Sequence, residues 1–293
     1  MILSIKIIVD SGSDLPIELA QEYNIDIVPL LVNLEEKEYL DGVTIIPKDL
    51  YEDMRGGAVY KTAQVPLRSF KEVFTRYAKL GQPCIYIAFS SGLSGTYQTA
   101  IMERSEILEE YPDFDLDIID TKAASFGCGL IAYYAAQMVQ KGRLKDEIVE
   151  AVHFFSEHMQ HIFTVDSLEY LFRGGRVSRT SAIVGGLLNI KPILDVEDGK
   201  LVPLEKIRGR KKIFTRMLDL MEERGVDLSN QIIGISHGDD LETAENLKNQ
   251  IQERFHCKDV VITMIGAAIG AHSGPGTIAL FFLDKKIFEN YKD

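Results

Sequence analysis

Cys84-Ile85-Tyr86-Ile87-Ala88-Phe89, then Ser90-Ser91-Gly92-Leu93-Ser94-Gly95, then Thr96-Tyr97-Gln98 opening a helical stretch to residue 110: this order of apolar run, glycine-serine turn and helix decides the fold. An apolar run without alternation reads as a strand covered on both faces, the habit of parallel sheets. The pattern recurs along the first half. Residues 5–9, 25–32 and 116–119 are further apolar runs, and helical stretches at 16–23, 69–80 and 124–141 lie among them. Such alternation predicts a mainly parallel sheet flanked by helices, with ligands at the carboxyl ends of its strands.

A second set follows. Residues 161–165, 192–196 and 200–207 read as strands, and Asp198-Gly199 reads as a hairpin turn between the last two. A helix at 210–224 precedes strands at 231–236 and 260–264, which enclose a helix at 242–255; a final strand covers 277–283. A hairpin among crossover units makes this sheet mixed. The reading is therefore an α/β chain of two domains, 1–160 and 161–293, divided after a helix at 145–158. A pocket between them is the default expectation.

Bulk properties narrow the function. The chain has 293 residues, 46% of them hydrophobic, and a formal net charge of −12. That charge argues against nucleic acid and against general adsorption to anionic membranes. The apolar opening ends at Asp10, too early to span a bilayer, so no stable membrane insertion is expected and residues 5–9 read as a buried strand. Cys84, Cys128 and Cys257 are odd in number and widely spaced. They suggest neither a disulfide framework nor a metal site, and a reducing cytoplasmic location is expected. No cofactor is implied.

Four segments carry possible chemistry. In the 90–96 turn, free N–H groups at a helix start attract an anion, Ser94 adds a hydroxyl, and Gly92 and Gly95 let the backbone approach a ligand. Helix capping explains serine and threonine there equally well. The second segment, residues 266–276, sets His272 among four glycines and a proline just before a strand, reading as a tight turn whose imidazole can bond a carboxylate. An incidental histidine in a turn is the competing explanation. The third, Arg173-Gly174-Gly175-Arg176-Val177-Ser178-Arg179, lets guanidinium groups converge on one anion, unless it is simply a solvated basic loop. A second basic cluster at 206–212, which includes Arg208, suggests a positive rim for a partner or phosphate. The fourth, Lys61-Thr62-Ala63-Gln64-Val65-Pro66, offers Thr62 and Gln64 as donors, or is only a turn into the next helix.

A serine acyl hydrolase using Ser94 and His272 is the rival function. The nucleophile elbow needs Gly-x-Ser-x-Gly, and Thr96 stands where its second glycine belongs. The phosphate-loop pattern fails as well, since no Gly-Lys-Ser/Thr follows.

Taken in order, these segments resemble the DegV family, whose characterised members are the fatty-acid-binding subunits of bacterial fatty acid kinase. The resemblance runs over nearly the whole chain: Val9-Asp10-Ser11-Gly12-Ser13-Asp14-Leu15-Pro16, the 90–98 segment, Phe172-Arg173-Gly174-Gly175-Arg176, Asn189-Ile190-Lys191-Pro192-Ile193-Leu194, Gly199-Lys200-Leu201-Val202-Pro203, and Gly270 to Gly276. It implies two α/β domains with a ligand tunnel at their interface, and a non-catalytic subunit that holds a long-chain fatty acid in that tunnel and presents it to a separate ATP-dependent kinase. By the same resemblance, Ser94 and Thr62 bond the carboxylate, with Gly95 and His272 close by. Arg173 and Arg208 face the kinase or the transferred phosphate. The family's Thr-Ser-Gln-Pro-Ser is Thr62-Ala63-Gln64-Val65-Pro66 here.

An acyl ligand is physically reasonable. About fifteen methylenes at about 0.8 kcal/mol each give roughly 12 kcal/mol before the costs of binding. The charged end needs hydrogen-bond donors, because an unpaired buried carboxylate is prohibitive. Candidate walls are the apolar residues of 162–171, 183–193 and 279–282, for each of which plain core packing is the competing role.

Overall fold

The computed structural model describes residues 4–178 and 190–287. The first half contains β1 (Lys6–Asp10), α1 (Ile17–Glu22), β2 (Asp26–Val28), β3 (Leu31–Leu34), β4 (Lys37–Leu40), α2 (Pro47–Arg55), β5 (Lys61–Ala63) and α3 (Leu67–Leu80). It continues through β6 (Cys84–Ala88), α4 (Thr96–Glu110), β7 (Leu116–Asp120), α5 (Phe126–Gln140) and α6 (Lys145–His158). The second half contains β8 (Met159–Thr164), α7 (Leu168–Arg173), β9 (Ile190–Glu197), β10 (Lys200–Arg208) and α8 (Arg210–Arg224). After these come β11 (Ile232–His237), α9 (Leu241–Phe255), β12 (Asp259–Met264), α10 (Ala267–Ser273) and β13 (Ile278–Leu283).

The chain has the expected two-domain α/β fold. The first domain is built on a four-stranded sheet in the order β2-β1-β6-β7, with every pairing parallel. The second is built on a mixed six-stranded sheet, β10-β9-β8-β13-β11-β12. All residues of β1 and β6 are buried because each face meets a different core. Ile7, Val9, Ile85 and Ile87 face α5, while Ile8, Tyr86 and Ala88 face α3 and α4. Period-two side-chain geometry thus serves two cores from one unbroken apolar run. α5 lies between the two large sheets, almost wholly buried, and its core joins Val9 and Ile87 to Phe163 and Phe281 of the mixed sheet.

The structure departs from the sequence reading in three places. The run 25–32 is two strands, broken before Leu31, because Pro29 has no N–H to give to a ladder. After the break the chain enters a separate three-stranded antiparallel sheet, β4-β3-β5. Residues 61–63, read as a turn, are strand β5 of that sheet, with Thr62 opposite Val32. The glycine-rich segment around His272, also read as a turn, contains helix α10. The hairpin turn at Asp198-Gly199 is as expected, with both residues at positive φ, 46° and 76°.

Candidate functional site

A cavity of about 330 Å³ opens between the two large sheets. Alternation in the mixed sheet supplies one wall. His161 and Phe163 of β8 and Ala279 and Phe281 of β13 face the cavity, while Ile162, Leu280 and Phe282 point into the core under α8 and α9. Leu171 of α7, Val196 of β9 and Leu201 of β10 extend the apolar lining. Of the proposed walls, 279–282 contributes the alternate residues Ala279 and Phe281, while 162–171 contributes only Phe163 and Leu171. Ile193 belongs to the far core, and residues 183–189 lie outside the described residues.

Thr62, Ser94, Gly95, His272 and Arg176 all border this cavity. Thr62 comes from β5, Ser94 and Gly95 from the turn before α4, His272 from α10, and Arg176 from the loop after α7. Thr62 Oγ1 lies 2.6 Å from His272 Nε2, joining the two halves of the chain across the site. Ser94 Oγ lies 2.8 Å from Thr96 Oγ1 and accepts the Thr96 N–H at 3.2 Å. The candidate ligand donor, one residue before the Gly95 cap of α4, thus also accepts the first N–H of that helix. His272 bonds Thr62 rather than Ser94, so the pair that a hydrolase needs is not assembled. Burial, and after it the Arg176 charge, push the His272 imidazole down to about 4, leaving it neutral at pH 7.

The 90–96 turn is divided in its labour. Ser90 Oγ donates to Gly199 O at 2.8 Å, and Ser91 binds Asp120 and Lys122. Only Ser94 of the three serines borders the cavity. Gly92 serves packing instead of ligand approach: a Cβ there would lie 2.5 Å from Gly199 O of the β9-β10 turn. Gly95 borders the cavity, but its missing Cβ makes room for the Gln64 side chain. Gln64 in turn donates to Thr99 Oγ1 at 2.8 Å.

The arginines separate. Arg176 Nε and Nη2 donate to Leu93 O at 3.2 and 3.0 Å, and Nη1 donates to Gly174 O. No carboxylate pairs with this guanidinium among the described residues. Arg173, in contrast, pairs with Glu169 and lies over the Tyr170 ring at 5.9 Å. It lines an outer pocket of about 260 Å³ that shares Thr62, Arg176 and His272 with the cavity. Both arginines border the outer pocket, then, and only Arg176 reaches the cavity. Arg208 is exposed at the end of β10 and borders neither. Arg210 in the same basic cluster is paired with Asp240. Arg179 lies outside the described residues.

Several site residues escaped the sequence reading. His161 is buried at the cavity wall with its ring fully engaged: Nε2 accepts the Ala124 N–H at 3.1 Å and Nδ1 lies 3.1 Å from Met159 O. Burial pushes it down to about 4. Its place at an alternate position of a buried strand was the available signal. Asp14 and Asp41, both buried, accept the Gly266 and Ala267 N–H groups at 2.8 Å each. They anchor the start of α10, whose far end carries His272. Burial raises both carboxyls, and raises that of neighbouring Asp10 to about 6. Among the described residues no group of three or more His, Cys, Asp or Glu side chains is arranged to hold a metal ion, and no helix is long and apolar enough to cross a membrane.

Comparison with known proteins agrees with the geometry. The DegV family model ("Uncharacterised protein, DegV family") matches residues 4–285. A DegV domain-containing protein of Clostridium perfringens is 44% identical over 280 residues, covering 94% of this chain and 96% of the relative. A solved DegV family structure from Thermus thermophilus, described for its fatty acid binding, superposes with a TM-score of 0.87 at 27% identity, covering 95% of this chain and 99% of the other. A stearic-acid-binding protein from Eubacterium ventriosum superposes with a TM-score of 0.86 at 27% identity, covering 94% and 97%. The chain belongs to the DegV family.

Proposed function

We propose that this protein binds a long-chain fatty acid in the buried cavity, with the carboxylate held at the Thr62, Ser94, His272 and Arg176 end. One observation carries the reading. Arg176 is a half-buried cation with no acidic partner among the described residues, in a chain of net charge −12, at the edge of a mainly apolar cavity. Arg173, Lys191 and Arg210, by contrast, each pair with a carboxylate. A half-buried guanidinium without a carboxylate suits an anion, and an apolar cavity suits a hydrocarbon chain. A fatty acid supplies both.

The outer pocket lined by Arg173 shares the Thr62–His272 pair with the cavity. It suits delivery of the carboxylate to a separate kinase subunit for acyl phosphate formation, with Arg173 facing the phosphate or the partner. Arg208 belongs, in this reading, to the partner-facing surface rather than to the ligand. The protein itself is then a non-catalytic carrier. We place its domains at 1–160 and 161–293, a division that falls two residues into β8, the first strand of the second sheet in chain order. Three buried free thiols suit a reducing cytoplasm.

Native mass spectrometry of protein purified from a bacterial host tests the reading. A non-covalent adduct with the mass of a long-chain fatty acid is expected, and Ser94→Ala should retain less of it. An adduct-free protein that hydrolyses acyl esters would overturn the proposal. Kinase delivery is tested by adding a fatty acid kinase catalytic subunit with ATP. Acyl phosphate should form with the wild type and fall with Arg173→Ala.

A further inference from the structure

Ser90 and Gly199 border neither the cavity nor the outer pocket, yet the fold brings them together. The tip of the β9-β10 hairpin, part of the second domain, docks on the 90–96 turn of the first. Ser90 is wholly buried there. It gives its one hydroxyl proton to Gly199 O at 2.8 Å and accepts the Gly92 N–H at 3.1 Å. Its carbonyl accepts the Leu93 and Ser94 N–H groups at 3.1 and 3.2 Å. The fit is close from both sides. A Cβ on Gly92 would lie 2.5 Å from Gly199 O, and one on Gly199 would lie 2.4 Å from Ser90 Oγ.

The same turn carries half of the carboxylate site. Ser94 borders the cavity, and Leu93 O accepts both Nε and Nη2 of Arg176. The place of that carbonyl therefore aims the guanidinium. With Gly92 and Gly95 among six residues, the turn has little of its own to hold one shape. Ser90 supplies the hold twice over. Its bonds to the N–H groups of Gly92, Leu93 and Ser94 fix the turn internally. Its bond to Gly199 O fixes the turn against the domain that provides Arg176 and His272. Behind the tip, the cross-strand neighbours Val196 and Leu201 line the cavity, so the docked hairpin is continuous with the ligand wall.

We infer that Ser90 is a positioning residue for the carboxylate: docked on Gly199, it sets Ser94 and the Arg176 guanidinium at the spacing that lets both reach one carboxylate group. Ser90 itself touches no ligand. This deepens the proposed fatty-acid binding and rests on it.

The test uses delipidated full-length protein, with octadecanoic acid and its methyl ester titrated by calorimetry. Ser90→Ala should weaken the acid about tenfold, the worth of about one hydrogen bond to a charged group, and the ester less than about twofold. Gly199→Ala lies on the other domain, and its Cβ would push the tip away from Ser90 Oγ and from Lys122 Cδ, 2.9 Å off. It should show the same split, so that a folding failure in one variant leaves the other informative. In an Arg176→Met background, Ser90→Ala should cost the acid less than about threefold, because the main group it aims is gone. Acid and ester weakened alike would reduce the docking to wall packing. An unchanged acid affinity would mean that the turn keeps its shape without the hairpin, and a full tenfold loss in the Arg176→Met background would show that Ser90 does not act through Arg176. Each of these three results overturns the inference while fatty-acid binding stands. If the wild type binds neither ligand, the fatty-acid reading falls and takes this inference with it.

Discussion

At the scale of single residues, the site depends on which polar groups are left without a partner. Arg176 holds Leu93 and Gly174 through their carbonyls and keeps its charge for the cavity. Arg176→Met should weaken long-chain fatty acid binding by about ten- to a hundredfold, the range for a hydrogen bond to a charged group. The methyl ester of the same acid should lose far less, which calorimetric titration of both ligands checks. Equal losses would assign Arg176 to loop packing alone. His161 and His272 are each held near 4 by burial. An imidazole that is neutral in the fold but takes its proton near 6.5 when unfolded adds stability at pH 7, and this is lost as pH falls from about 6.5 to about 4. Asp10, raised to about 6, has the opposite sign: its contribution is full below the unfolded carboxyl value and is lost as pH rises through 6. The two trends oppose in bulk unfolding, so imidazole NMR separates them. Both rings should remain neutral at about pH 5.5 in the ligand-free protein, and a protonated signal from either would contradict the burial argument.

Among the elements, the long helices were legible and the short pieces around the site were not. α4, α6 and α8 fall at the expected residues, because flanking turns bound elements of that length. α10 has seven residues and three nearby glycines, too short and too glycine-rich to persist alone. It forms because Asp14 and Asp41 of the other domain accept the Gly266 and Ala267 N–H groups. β5, with three residues, exists only because β3 offers it an edge. These two pieces carry His272 and Thr62, so the local sequence said least about the structure where the ligand site lies. The turn at Gly92 is a further tertiary element, wedged against the β9-β10 hairpin. Gly92→Ala should therefore lower stability by about 1–3 kcal/mol, as overpacking does. The drop would appear as a lower melting temperature by calorimetry. An unchanged melting temperature would mean that the hairpin moves aside freely.

Across the whole molecule, α5 binds the two sheets into one body. Its core joins side chains of the parallel sheet to those of the mixed sheet, and contacts such as Thr62–His272 and Asp14–Gly266 cross between the domains. Urea unfolding should therefore follow one transition, with far-UV circular dichroism and tyrosine absorbance superimposing; two separated steps would show that the shared core does not couple the domains. A long-chain fatty acid at a hundred times its Kd should raise the unfolding free energy by about 2.7 kcal/mol in the same experiment. The amino-acid sequence alone determined the α/β class, the order of the main strands and helices, the hairpin at Asp198-Gly199 and the family, because each is written in local periodicity, turn chemistry or ordered motifs. Tertiary structure alone decided that Ser94, rather than Ser90 or Ser91, borders the cavity, that Arg176 reaches it while Arg173 lies outside, and that Ser125 and Ser236 meet in its wall. The physical reason is that these outcomes depend on which neighbour takes each hydrogen bond, and those neighbours stand tens to hundreds of residues apart in the chain.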